Sequence, residues 1–159
     1  MSRYLNKLNV GMIICEGIKQ TNGGEISEMT GITRHIKLNS DDKATFTLVC
    51  DANFVEIEIP EDGGALSFRL YIRTLGATPG YRIPFMVMEI GLHENNEGVR
   101  TGNVPMVIPV KDFKFPTKGQ YAIEIYKYFG TIDLKMEENN RDYYRIKENF
   151  VNAIIVTVE

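Results

Sequence analysis

Three residues with side chains suited to binding alternate along one stretch of the sequence, Arg69, Tyr71 and Arg73. In an extended strand, residues two positions apart point to the same face. Two guanidinium groups beside a phenol form a cationic, stacking surface that suits a phosphate, a nucleotide or an acidic protein patch. Tyr81 and Arg82 follow in the next loop and extend this set. The pattern therefore predicts a binding site for a nucleotide-like ligand or an acidic partner.

A competing interpretation gives the same arginines a structural role. Glu56 and Glu58 also alternate, and the turn-forming residues 60–64 separate them from the arginine-bearing stretch. Two alternating runs joined by such a turn are typical of a β-hairpin. In a suitable register, Arg69 and Arg73 would form cross-strand ion pairs with the two glutamates. We favour this pairing as the expected role of the arginines, with ligand binding as the alternative.

Tyrosines cluster around the longest irregular stretch, Met136–Asn149, for which we expect a loop with a turn or two of helix. Tyr126 and Tyr128 precede it, and Tyr143 and Tyr144 lie within it. Tyrosine buries a large area and keeps a hydrogen-bonding tip, so these side chains suit a contact surface for a partner. They equally suit a strand face that is covered by its own loop. Both interpretations stay open at this point.

The sequence lacks the patterns on which most catalytic and metal sites are built. It has two histidines, His35 and His93, no Gly-x-Ser-x-Gly elbow, and no Gly-Lys-Ser or Gly-Lys-Thr of a Walker loop. Its two cysteines, Cys15 and Cys50, lie in apolar segments without zinc-binding spacing, and burial makes thiols inert. Acidic residues near strand ends, such as Asp51, are expected to be solvated rather than to bind calcium. We therefore predict no enzyme activity, no cofactor and no metal.

The elements that position these residues follow from a two-residue hydrophobic period. Apolar and polar residues alternate in short runs bounded by Gly, Pro, Asn or Asp, and apart from Met136–Asn149 no segment has a helical period. Such runs predict an all-β domain across residues 4–159, built as an antiparallel two-sheet β-sandwich of about eight or nine strands, with a closed small barrel as the alternative. The candidate strands are residues 9–18, 31–38, 44–50, 55–59, 66–72, 85–92, 104–110, 120–128 and 150–158.

Length and charge exclude several classes of protein. The chain has 159 residues, of which 43% are hydrophobic, and 18 basic against 21 acidic side chains give a net charge of −3. This balance provides no general attraction for nucleic acid or anionic membranes. The apolar runs are far shorter than the roughly 20 residues that span a bilayer, and no secretory signal begins the sequence. We therefore expect a cytoplasmic protein with no membrane contact and no nucleic-acid partner.

In the segment Phe113–Ile125, a Gly119-Gln120-Tyr121 sequence leads into an apolar strand. This arrangement resembles the corner between the E and F strands of immunoglobulin-like sandwiches. The resemblance implies that the hydroxyl of Tyr121 bonds back to the preceding loop. It also implies that the strands follow an immunoglobulin-like or similar Greek-key topology. Ile123 stands where those domains have a disulfide cysteine, and the sequence has no tryptophan. The pattern, with its apolar last strand, is also similar to small bacterial sandwich proteins of unknown function. These similarities imply a fold and no activity.

These observations together predict a non-catalytic interaction module of bacterial or viral type. It would bind a protein partner, or itself, through a sheet face and its long loops, because an apolar final strand at Phe150–Val158 needs a covered or paired edge. The alternative is a small-molecule binder that holds a nucleotide or another phosphorylated ligand with Arg69, Arg73 and Arg82, while Tyr71 or Tyr81 stacks on it. A hydrolase using two scattered carboxylates is a third and less favoured possibility.

Overall fold

The alternation in the sequence corresponds to strands throughout a computed structural model of the chain, which describes residues 7–58, 64–76, 82–92 and 99–159. The fold is all-β, as the sequence predicts, and one of its sheets curls into a half-barrel. Within the described ranges the strands are β1 Leu8–Cys15, β2 Gly17–Gln20, β3 Ile26–Thr30, β4 His35–Ile36, β5 Ala44–Glu58, β6 Gly64–Thr74, β7 Arg82–Leu92, β8 Val99–Phe113, β9 Gly119–Phe129 and β10 Phe150–Val158. Between β9 and β10 lie a short helix, α1 Lys135–Asn139, and a 3-10 turn at Lys147–Asn149.

The described strands form three sheets. The strand order is β1-β5-β8 in the first sheet and β4-β10-β9-β6-β7 in the second, and β2 pairs with β3 alone. The pairs are antiparallel except for the short parallel pair of β4 with β10, which the sequence did not predict. Alternate residues of the two larger sheets, such as Leu48 and Phe54 on β5 and Phe68 and Ile123 on the second sheet, belong to one hydrophobic core.

The predicted hairpin between residues 55–59 and 66–72 is wrong. β5 and β6 belong to different sheets, and both edges of β5 are already occupied, by β1 and by β8. β6 pairs instead with β7 and β9. Two strands of a hairpin and two consecutive strands in different sheets show the same alternation of apolar and polar residues. The sequence pattern therefore did not distinguish these two arrangements. Of the expected turn at residues 60–64, residues 60–63 lie outside the described residues, and Gly64 begins β6.

Several predicted strand boundaries also change. The two candidates at 44–50 and 55–59 are parts of one strand, β5, and the candidate at 9–18 divides into β1 and β2. Of the candidate at 31–38, only His35–Ile36 is a strand, and β3 was not anticipated. β5 remains continuous through a β-bulge at which Glu56 adopts a φ of 50°, and the hydroxyl of Thr101 accepts the displaced backbone N–H of Glu56 at 2.9 Å.

The last strand, β10, lies inside the order of its sheet. It pairs with β9 along most of its length and with β4 at its end. The side-chain amide of Asn152 donates to the carbonyl of Val10 at 2.7 Å, and the N–H of Thr157 donates to the carbonyl of Arg34 at 2.8 Å. β10 is therefore not the outermost strand, and this argument for self-association loses its premise. The oligomeric state stays a prediction.

Tyr121 makes the contact that the sequence predicts for it. Its hydroxyl donates to the carbonyl of Thr117 and accepts the N–H of the same residue, the latter at 3.1 Å. The ring is buried against Phe115, with 4.9 Å between centroids, and Phe115 in turn contacts Phe113 and Phe46. This aromatic cluster belongs to the hydrophobic core or packs against it. The relationship to immunoglobulin-like domains stays a prediction.

Candidate functional site

The face of β6 that carries Arg69, Tyr71 and Arg73 is covered by a later segment, residues 130–149, which we call the strap. The strap is anchored at its start, where the hydroxyl of Ser67 donates to the carbonyl of Gly130 at 2.6 Å. It contains α1, as the sequence interpretation of Met136–Asn149 expected. Arg69 is 7% exposed and Tyr71 is 1% exposed beneath it. At Arg69 and Tyr71 the predicted cationic surface is therefore an internal interface, whereas the side chain of Arg73 remains 34% exposed.

Glu137 on α1 neutralises the first of these arginines. One carboxylate oxygen accepts Nε of Arg69 at 2.8 Å, and the other accepts the hydroxyl of Tyr71 at 2.8 Å. Arg69 also donates to the carbonyl of Met86 at 3.2 Å. Burial raises the pKa of Tyr71, and the bond to Glu137 raises that pKa further. The phenol therefore stays protonated and acts as a donor.

Glu124 on β9 neutralises the second arginine of the pattern together with one from the strap. Its carboxylate accepts Nε of Arg73 at 3.2 Å and Nε of Arg145 at 2.9 Å. The guanidinium of Arg145 lies 5.8 Å from the centre of the Tyr126 ring, a cation–π distance. Burial raises the pKa of Tyr126, and the charge of Glu124 adds to this effect. Two arginines thus share one buried carboxylate.

The remaining predicted residues lie at the edge of the strap. Arg82 donates to Asp142 at 2.8 Å, and both side chains are partly exposed. Tyr144 is buried, accepts the N–H of Asp133 at 2.7 Å and has a pKa raised by burial. Tyr143 stacks edge-on against Tyr144 and is 37% exposed. Tyr144 therefore belongs to the covering loop and packs on Tyr128 of β9, with 5.0 Å between ring centroids, and Tyr143 borders the solvent.

The structure thus brings six of the seven predicted site residues to one interface, beneath or beside the strap. Tyr81 lies outside the described residues. The expected ion pairs of Arg69 and Arg73 with Glu56 and Glu58 are wrong, because both glutamates belong to β5 in the other sheet and Glu56 pairs with Lys7 at 3.3 Å. In Arg69, Nε is already bound to Glu137 and Nη1 to the carbonyl of Met86.

A second concave surface lies on the opposite sheet, where the β2–β3 hairpin stands over the outer face of β1, β5 and β8. We call it the hairpin groove. Its volume is about 1030 Å³, and its lining residues are Gly11, Ile13, Gln20, Gly23, Gly24, Glu25, Ile26, Met29, Val49, Asp51, Asn103 and Pro105.

Cross-strand register explains the floor of the hairpin groove. Ile13 lies opposite Val49, and Gly11 lies opposite Asp51, which in turn faces Pro105 on β8. One row across the sheet is therefore apolar and the next combines a carboxylate with a glycine and a proline. Ile13 is 36% exposed on this floor and provides apolar surface to the groove.

Amide side chains fix the acidic part of the floor. Nδ2 of Asn103 donates to Oδ1 of Asp51 at 2.8 Å and also to the side-chain oxygen of Asn53. Nδ2 of Asn53 donates to the backbone carbonyl of Asp51 at 3.3 Å. The Asp51 carboxylate is thereby held in one orientation on the sheet. It lies within β5, not at its end as the sequence interpretation expected.

The sequence reasoning missed the groove because it missed β3. Gly23 and Gly24 lie in the turn before β3, and Gly24 has the positive φ of 84° that favours glycine there. The residues after the turn, Ile26 and Met29, are three positions apart and give no alternation. Their strand character comes from pairing with β2, in which Ile18 lies opposite Met29.

The described residues hold no group of three or more His, Cys, Asp or Glu side chains arranged to bind a metal ion. Cys15 and Cys50 are buried free thiols, as the sequence predicts, and burial raises the pKa of Cys50 to about 12. Neither helical segment in the described ranges is long and apolar enough to cross a membrane.

No protein-family model matches the sequence, and no curated protein matches it significantly.

Proposed function

We propose that the chain is a non-catalytic binding domain that recognises a short extended segment of a protein partner in the hairpin groove. The observation that carries this proposal is the groove itself. It combines an apolar strip, an oriented carboxylate and a β-hairpin wall over one sheet face. These are the features of recognition sites that bind a main chain and one or two side chains together.

The dimensions of the groove define the size of its occupant. It crosses three strands, and adjacent strands lie about 4.8 Å apart, so its floor is about 10 Å wide. An extended chain advances about 3.3 Å per residue, and a segment of about three residues therefore fits across the floor. The exposed side chain of Ile13 would lose its solvent contact under such a segment.

The strap argues against the alternative of a nucleotide binder at Arg69, Tyr71 and Arg73. The donors that a phosphate would use already bind Glu137 and Glu124, and Arg69 is almost fully buried. A phosphate that displaced one of these carboxylates would leave two negatively charged groups, the phosphate and the displaced carboxylate, near one buried site. Accommodating both carries a large desolvation cost. The same networks instead supply a rigid support behind the second sheet.

We also propose that the two larger sheets pack as a sandwich with immunoglobulin-like or related Greek-key topology. The shared core, the bond from Asn152 to Val10 and the corner contact of Tyr121 support this arrangement. An experimental structure with β5 and β9 facing each other at about 10 Å would agree with it. A closed, continuously hydrogen-bonded barrel would contradict it.

Gly11 provides a direct test of the binding surface. A Cβ added at Gly11 meets no atom within 4 Å, so the side chain of Gly11→Leu starts in open space and extends into the groove. Asn9→Leu is the matched control, because Asn9 is exposed on the same face of β1 and does not line the groove. A phage-displayed hexapeptide library is selected on the wild-type protein, and the enriched peptides are then measured against both variants.

We expect enriched peptides to bind the wild-type protein and Asn9→Leu alike and to lose at least tenfold in affinity for Gly11→Leu. Peptides that bind all three proteins equally would place the binding surface elsewhere and overturn the proposal. Failure of the library to enrich any peptide would also count against it. Circular dichroism and thermal unfolding establish that both variants keep the fold.

A further inference from the structure

We propose that the hairpin groove selects a segment that carries a lysine or arginine side chain, whose cation lies beside Asp51 and Glu25. This inference rests on the proposed function and adds the chemistry of the partner. Both carboxylates line the groove, and the described lining contains no Lys, Arg or His to neutralise them. A cationic partner residue supplies the charge that the site lacks.

Neighbouring cations do not fill this role. Lys19 on β2 pairs with Glu28 on β3 at 3.5 Å, and neither residue lines the groove. Among the residues that the structure describes, the hairpin therefore carries one ion pair away from the groove and, at Glu25 within the groove, a glutamate without an ion-pair partner. Glu25 and Glu28 are three positions apart on one hairpin. We therefore expect Glu25 to contact the cation of the partner and Glu28 to stay in its ion pair with Lys19.

The carboxylate of Asp51 is also prepared for a partner by its internal contacts. Asn103 donates to Oδ1. In the part of the chain that the structure describes, no hydrogen bond to Oδ2 occurs, and that oxygen is available to an ammonium or guanidinium donor. A carboxylate already oriented by the protein loses less freedom on binding than a mobile one, so the selectivity for a cation is strengthened.

The apolar residues around the two carboxylates suit the stem of a long cationic side chain. Lysine and arginine carry three or four methylene groups that pack on apolar surface while their charged ends reach a polar group. Ile13, Ile26 and Met29 line the same groove and provide that surface. An acidic side chain would be repelled by both carboxylates, and an amide could donate a hydrogen bond to them but carries no charge to neutralise them.

The test uses three fluorescein-labelled peptides that alternate valine with lysine, glutamine or glutamate over seven residues. Their affinities are measured by fluorescence anisotropy at low and high salt. The proteins are the wild type, Asp51→Asn, Glu25→Gln and, as the matched control on the same hairpin, Glu28→Gln. Gly11→Leu serves as the blocked groove.

We expect the lysine peptide to bind most tightly, with a loss of about threefold or more in each of Asp51→Asn and Glu25→Gln and no loss in Glu28→Gln. Its affinity should fall as salt rises, because partly exposed charges are screened. Equal binding of the lysine and glutamine peptides, with both blocked by Gly11→Leu, would overturn the charge selectivity and leave the proposed function standing. Failure of all three peptides would contradict both.

Discussion

The contact between the strap and β6 predicts a large effect from one substitution, Glu137→Ala. The change removes the acceptor for both Arg69 and Tyr71, whose side chains lie beneath the strap. A hydrogen bond to a charged group contributes about 1.5–3 kcal/mol, and loss of one partner of a buried ion pair costs about 3–5 kcal/mol. Arg69 keeps its bond to the carbonyl of Met86, which places the expected loss near the lower end, at about 3 kcal/mol.

Urea unfolding followed by circular dichroism measures this loss. With a denaturant slope of about 2 kcal/mol per molar, a loss of about 3 kcal/mol lowers the midpoint by about 1.5 M. Glu138→Ala is the matched control, because Glu138 is the next residue of α1 and is exposed. Its effect should remain within about 0.5 kcal/mol.

Hydrogen exchange distinguishes global destabilisation from release of the strap alone. If the strap detaches while the sheets stay folded, its amides lose protection and the loss of global stability is limited to the free energy of strap docking. Equal midpoints for the Glu137→Ala and Glu138→Ala variants, with unchanged exchange in residues 130–149, would refute the assignment of Glu137 as the anchor.

Three further predictions concern the core and its edges. Burial lowers the pKa of Lys127, so its side chain loses the proton at a lower pH in the folded protein than in the unfolded chain, where the pKa is 10.5. Between these two pKa values the unfolded state binds more protons, and the stability of the fold should therefore rise with pH. Lys127→Met should accordingly stabilise the protein at pH 7 by about 0.5–2 kcal/mol in urea unfolding and by less at pH 10, and a gain independent of pH would contradict this cause. Tyr121→Phe removes both bonds to Thr117 and should cost about 0.5–1.5 kcal/mol by the same assay, whereas an unchanged midpoint would show that the corner contact contributes nothing. Cys15 and Cys50 should react with a thiol reagent only after unfolding, and rapid labelling of the native protein would show that they are not buried.

Alternation along the sequence was sufficient to predict an all-β fold and the faces of its strands. Arg69, Tyr71 and Arg73 do share one face of β6, as their spacing predicts. Alternation did not identify the partners of that face, because Glu137 is 68 residues away from Arg69 along the chain. No local sequence pattern predicts a contact over this distance. Glu56 and Glu58 lie nearer in the sequence, and the prediction that they pair with the arginines was wrong.

The groove shows the same limit for concave surfaces. Its floor comes from the register of β1, β5 and β8, and its wall comes from a hairpin that pairs only with itself. The turn at Gly23-Gly24 was visible in the sequence, but the position of the hairpin above Ile13 and Val49 depends on packing between elements. Asp51 was expected near a strand end and instead lies in the middle of β5, on the groove floor.

Amide chemical shifts recorded while the lysine-valine peptide is titrated into the isotope-labelled protein test the central claim most directly. If the hairpin groove is the binding surface, the shifted amides will cluster at residues 11–13, 23–26, 49–51 and 103–105. Shifts that instead concentrate at residues 69–73 and 142–145 would show that the strap opens and that the arginine face is the binding site. That result would contradict the account.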